Sequence, residues 1–200
     1  SPPPRRNPTK SPEATAPRFM QFLNEVFSLD IDRSDKIQLV LEAIGYSLTT
    51  STAYERLFIL TGDGANGKSV LLHVIKEIVG KDNASAVQPA KFDNIFQRAH
   101  LHRKLVNIVT ELPAGAVLPD AATKAIVSGE AITVEHKMQA PFEMEPFCTL
   151  WIATNHVPGT NDFSEALSRR MIIIPFNRQF APDEQDKRLK EKLTAELPGI

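Results

Sequence analysis

One stretch, Gly62-Asp63-Gly64-Ala65-Asn66-Gly67-Lys68-Ser69, constrains this chain more than any other, because it fits G-x-x-x-x-G-K-[ST] and its flanks suit that motif. Leu57-Phe58-Ile59-Leu60 before it is short enough for a buried strand. After it, Leu71, Val74, Ile75 and Ile78 recur at helical spacing until Gly80 offers a left-handed stop. Strand, glycine loop and helix in that order form a phosphate cradle. Glycines let the backbone approach without a Cβ, and the amides at a helix start present partial positive charge. The expected ligand is ATP, bound by all eight residues, with Lys68 reaching the β- and γ-phosphates and the Ser69 hydroxyl on Mg²⁺.

The 200 residues suit one domain with a sizeable core. Six of the fifteen prolines fall in residues 1–17 beside Arg5, Arg6 and Lys10, a composition expected of a flexible linker or tail. Phe19, Phe22, Leu23, Val26 and Phe27 then follow helical periodicity, as do Ile37, Val40, Leu41, Ile44 and Leu48, with Ser34 or Asp35 as the expected cap of the second helix. The expected organisation is the linker over 1–17, a helical segment over 18–52, the nucleotide-binding core over 53–182 and a C-terminal helix over 183–200. In that last helix the Leu189, Leu193, Leu197 stripe is thin, as if it lacked a packing partner.

Further strands are expected at Ala84–Val87, Leu105–Val109, Thr149–Ala153 and Met171–Ile174. Helices are expected around Phe92–Arg98, from Pro119-Asp120 to Gly129, and from about Asp162. Five strands alternating with helices predict an α/β fold with a largely parallel sheet and its ligand at the strands' C-terminal edge. Ile132-Thr133-Val134 and Phe142-Glu143-Met144 form the two arms of an expected hairpin.

Four polar residues at strand or helix ends fit the same chemistry. Glu111 follows the Leu105–Val109 run, where a carboxylate can hold Mg²⁺ or polarise attacking water. Asn155 follows the Thr149–Ala153 run and can position that water. Arg169 and Arg170 can stabilise charge on a transferring phosphoryl group. A net charge of -1 gives no global basic signal, so any DNA contact must be local. The lone Cys148, beside an apolar run, excludes a disulfide framework and suits a reducing compartment. No apolar run approaches the ~18 residues of a membrane span, so a cytoplasmic protein is expected.

Together G-D-G-A-N-G-K-S, the strand closing on Thr110-Glu111, L-W-I-A-T-N-H-V-P over 150–158 and L-S-R-R-M-I-I-I-P-F over 167–176 resemble the superfamily 3 helicase module. More narrowly, they resemble the helicase half of phage- and plasmid-encoded primase-helicases, from about Pro17 onward. The resemblance implies an AAA+-like P-loop NTPase core that forms a ring, usually a hexamer, and moves on single-stranded DNA in a bacterial host. It implies Lys68 and Ser69 as phosphate and Mg²⁺ residues, Glu111 as the Walker B acid, Asn155 as sensor 1, and Arg170, with Arg169 beside it, as a finger reaching a neighbour's site. It also makes the 131–145 hairpin a DNA contact through Lys137 and His136, with Lys124 a weaker candidate. Many members carry two adjacent acids where Thr110 precedes Glu111. The family's primase half is absent, and an excised or truncated piece is expected. Two competing readings are a nucleotide-gated assembly module with little turnover and a P-loop kinase.

Overall fold

The computed structural model describes residues 13–113, 115–156, 158–160 and 165–200. The strands are β1 (Leu57–Thr61), β2 (Ala84–Ser85), β3 (Val106–Val109), β4 (Val117–Leu118), β5 (Ile132–Val134), β6 (Phe142–Met144), β7 (Thr149–Thr154), β8 (Gly159–Thr160) and β9 (Met171–Pro175). The α-helices are α1 (Pro17–Val26), α2 (Arg33–Ser47), α3 (Lys68–Val79), α4 (Ile95–Arg98), α5 (Asp120–Ser128), α6 (Glu165–Ser168) and α7 (Leu189–Ala195).

Five strands form one sheet in the order β2-β3-β7-β1-β9, every pairing parallel. Parallel strands are covered on both faces and therefore carry continuous apolar runs, which is why β1, β3 and β7 are so plain in the sequence. The pleat splits those runs between two cores. Phe58, Leu60, Ile108, Trp151 and Ala153 face α1, α2, α3 and α7. Leu57, Ile59, Val109, Leu150 and Ile152 face the other layer, with Ile126 of α5, Val134, Met144 and Leu167. Trp151 stacks on Phe58 at 4.5 Å and donates its indole N–H to the buried Ser47 hydroxyl at 2.9 Å. Cys148 is buried, which pushes its thiol up to about 12.

Several expectations change. Asp32, not Ser34 or Asp35, sits at the N-cap of α2, and the latter two lie inside the helix. The expected helix over 92–98 is the single turn α4 between two 3₁₀ turns, since Asn94 caps it late by accepting from Phe96 and Gln97. The expected start at Asp162 and most of the 1–17 linker lie outside the described residues.

The C-terminal helix has its packing partner in the same chain. Leu193 is fully buried in the core shared with α1 and α3, and Leu189 and Leu197 pack against it. The Glu196 carboxylate accepts the N–H groups of Arg18 (3.0 Å) and Phe19 (2.9 Å), satisfying the start of α1, which has no side-chain cap of its own.

Candidate functional site

Parallel pairing brings the expected site to one edge. Thr61 is in register with Thr154 and Val109 with Ile152, so the segments beginning at Gly62, Asn155 and Thr110 leave the sheet side by side at its C-terminal edge. β1 runs through α3 to distant β2, while β7 continues across β1 to β9. That reversal beside β1 is the topological switch point where open α/β sheets hold ligands.

The loop is held by its own residues. Gly62 (φ 136°) and Gly67 (φ 95°) adopt backbone that side chains rarely tolerate. A Cβ on Gly62 would meet the Phe176 carbonyl oxygen at 2.4 Å, and one on Gly67 would meet Val26 at 2.9 Å. Asn66 is buried; its amide donates to the carbonyls of Asp63 and Phe176, pinning the loop to the end of β9. Its Oδ1 accepts from the Lys68 backbone N–H at 3.4 Å and ammonium at 3.2 Å. The Lys68 ammonium also donates to the carbonyls of Gly62 and Asp63. Burial pushes its pKa below the ordinary lysine value, against the pull of Asp63. α3 begins at Lys68, so the amides of its first turn face the loop.

A cavity of about 320 Å³ opens over this loop, lined by residues 64–70 together with Thr110 and Ala153 from the ends of β3 and β7. Thr110 shares the cavity with Lys68 and Ser69. Glu111 is exposed and lines a neighbouring cleft of about 810 Å³, with Thr110 common to both. Asn155 is exposed on a turn fixed by Thr154, whose hydroxyl donates to the His156 carbonyl at 2.8 Å and accepts its N–H at 3.2 Å.

The two arginines separate. Arg170 is turned into its own chain, where it pairs with Glu55 at 2.5 Å and donates to the Ala166 carbonyl (2.6 Å) and the Ser128 hydroxyl (3.1 Å). The expectation that Arg170 reaches outward is therefore not met; Arg169 is the exposed member of the pair. Lys124, a candidate DNA contact, forms an ion pair with Asp120 one helical turn away, at 2.5 Å. His136 packs at the hairpin root against Phe142 (5.5 Å) and His102 (6.4 Å), whereas Lys137 is exposed in the connecting loop beside fully exposed Met138. Arg98 and His102, from the segment 98–104 before β3 that also holds His100, Arg103 and Lys104, contact this hairpin: Arg98 donates to the Thr133 carbonyl at 2.9 Å, and His102 lies 5.1 Å from Phe142.

No motif pointed to the remaining lining residues. Arg18, Phe22 and Glu25 of α1 and Phe180, Gln185 and Leu189 of the C-terminal segment close the far side of the cavity. Sequence periodicity marked Phe22 and Leu189 as apolar helix positions, with nothing to link them to the loop. Among the described residues, no three His, Cys, Asp or Glu side chains are grouped to hold a metal ion, and no helix is long and apolar enough to cross a membrane.

A family model, described as a family of unknown function (DUF5906), matches residues 60–170, from the last residues of β1 to Arg170. The chain belongs to the DUF5906 family. This DUF5906 chain is 23% identical over 170 residues to a protein of Acanthamoeba polyphaga mimivirus named "Putative helicase L207/L206", covering 78% of the chain and 17% of that protein. Its fold resembles apo structures of the NrS-1 C terminal region. One has a TM-score of 0.72 at 18% identity and another 0.68 at 19%, each covering the whole DUF5906 chain and 47% or 46% of the other. It also resembles the JCV helicase, with a TM-score of 0.54 at 12% identity, over 93% of this chain and 53% of that one. The DUF5906 chain thus spans about half or less of these relatives. Its α/β architecture with a five-stranded parallel sheet is shared with the NrS-1 C terminal region and the JCV helicase.

Proposed function

We propose that this DUF5906 domain is an ATP-driven DNA helicase motor of the superfamily 3, AAA+-like type, acting within a phage or mobile-element replication protein. The observation that carries the reading is the buried Lys68 in a glycine loop at the C-terminal sheet edge, with Thr110 in the same cavity. On nucleotide binding, Lys68 exchanges the carbonyls of Gly62 and Asp63 for phosphate oxygens, which relieves the cost of its burial. Backbone amides of the first turn of α3 hold the phosphates. Glu111 orients and deprotonates water for in-line attack on the γ-phosphate, and Asn155 fixes that water's position.

The donor set fits Mg²⁺. The Ser69 hydroxyl and an oxygen at the β3 end are hard ligands of the kind this ion takes together with phosphates, and Ser69 and Thr110 line the same cavity. Bound there, Mg²⁺ supplies charge neutralisation on the phosphates. Arg169, exposed at the turn before β9, completes a neighbouring subunit's site in a homo-oligomeric ring of six. Single-stranded DNA runs through the ring and meets Lys137 on the hairpin, a positioning contact blind to sequence.

Steady-state ATPase assays with and without single-stranded DNA, on wild type and Glu111→Gln, test this. DNA-stimulated turnover that falls at least 100-fold in the variant is expected, the range for losing a general base being roughly 10²–10⁴. No stimulation at concentrations where rings form would reject the motor. One observation favours a second reading, a nucleotide-gated assembly module with little turnover: Glu111 lines the neighbouring cleft rather than the loop cavity. Tight ATP binding with negligible hydrolysis in wild type would select it.

A further inference from the structure

The far side of the loop cavity is built from the two ends of the described chain, and Phe180 is bonded there directly to the phosphate loop. Its backbone N–H donates to the Ala65 carbonyl at 2.8 Å, which ties the ring to the phosphate loop itself. The Arg178 guanidinium lies 4.4 Å from the ring centre. Arg178 is in turn held by the Glu25 carbonyl (3.2 Å), the Ser28 hydroxyl (3.2 Å) and the Glu184 carboxylate (3.0 Å). The Gln185 amide donates to the Phe180 carbonyl at 3.0 Å, placing that side chain on the same turn. The ring is therefore backed by a fixed cation while lining the cavity, a prepared stacking surface.

We propose that this end of the cavity is a base-recognition subsite for purine nucleotides, in which Phe180 stacks on the base and Phe22 and Leu189 form its apolar walls. The proposal rests on the phosphate-loop reading above and adds what that site selects. The Phe180–Ala65 hydrogen bond sets the spacing between base and phosphates, so a ligand must carry both to use it. A purine offers more ring area to Phe180 than a pyrimidine does, and the Gln185 amide oxygen, with the Glu25 carboxylate that pairs with Arg18 at 3.3 Å and the carboxylates of Glu184 and Asp186, gives the pocket polar groups to meet the base edge.

Calorimetric titration of the full chain with ATP, CTP and inorganic tripolyphosphate, each with Mg²⁺, tests it in wild type, Phe180→Ala and Phe180→Trp. ATP is expected to bind more tightly than CTP. Phe180→Ala is expected to weaken ATP about 10- to 100-fold, the scale of one base–aromatic contact, and to leave tripolyphosphate unchanged, while Phe180→Trp keeps ATP affinity. Wild-type ATP affinity in Phe180→Ala overturns the subsite. So does an equal loss of tripolyphosphate, which would assign Phe180 to holding the loop alone. Wild type binding ATP and CTP equally sinks the subsite but leaves the phosphate site standing, whereas wild type binding none of the three ligands removes the phosphate-site reading itself.

Discussion

Arg169 and Arg170 are adjacent and chemically identical, but the fold leaves the first exposed and buries the second, so replacing each by alanine should have separate consequences. Arg170 loses an ion pair and two hydrogen bonds. The Glu55 side chain is 40% exposed, so the pair counts as solvent-screened, about 0.2–1 kcal/mol. The bonds to Ser128 and Ala166 add about 1 kcal/mol each. Arg170→Ala is thus expected to cost about 2–3 kcal/mol, and at ~2–4 °C per kcal/mol for a domain of this size its melting midpoint drops by about 4–12 °C. Arg169→Ala is an exposed substitution and should stay within about 0.5 kcal/mol of wild type. In the proposed ring, however, Arg169→Ala should lower ATP turnover by roughly 10³-fold or more, the scale of a lost arginine finger. Differential scanning calorimetry, paired with ATPase assays of assembled protein, separates the two effects. The reasoning fails if Arg169→Ala melts as early as Arg170→Ala, or if Arg170→Ala melts with wild type.

Two further outcomes follow from the core and the histidines. Trp151→Phe removes the indole N–H from a fully buried bond to Ser47 and leaves space beside Phe58, so urea denaturation should show a loss of about 1–3 kcal/mol at unchanged slope. Burial, then His136 and Arg103, hold the His102 imidazole below its ordinary value of 6.5, and burial does the same to His73, with Glu77 opposing and Lys190 assisting. The unfolded chain then binds these protons more readily, so the stability these neutral rings contribute is complete above pH 6.5 and is lost as pH falls below it. Melting midpoints measured from about pH 7 down to about pH 5.5 should decline, less steeply in His102→Gln; identical slopes in both proteins would refute the assignment.

How much was legible depended on how local the cause was. β1, β3 and β7 could be read because strands covered on both faces are mostly apolar, the edge strand β9 because it keeps an apolar run although Ile173 is exposed, and α1 and α3 because one buried stripe recurs every three or four residues. The hairpin, the stop at Gly80 and the left-handed Gly129 at the end of α5 were equally local. The partner of α7 was not, because a three-leucine stripe says how much surface needs cover and not what covers it. Nor was the cap of α1, supplied by Glu196 from 177 positions away.

At the site, the order of motifs along the chain brought Gly62–Ser69, Glu111 and Asn155 to one sheet edge, since parallel strands joined by crossovers end on the same side. Only packing decided that Thr110 shares the loop's cavity while Glu111 lines the next cleft, that Arg170 turns inward, and that Phe22 and Phe180 close the far side. Those outcomes depend on side-chain direction at strand ends and on contacts between chain ends. Hydrophobic periodicity specifies which face of an element is buried; it carries no information about which distant residue meets it there.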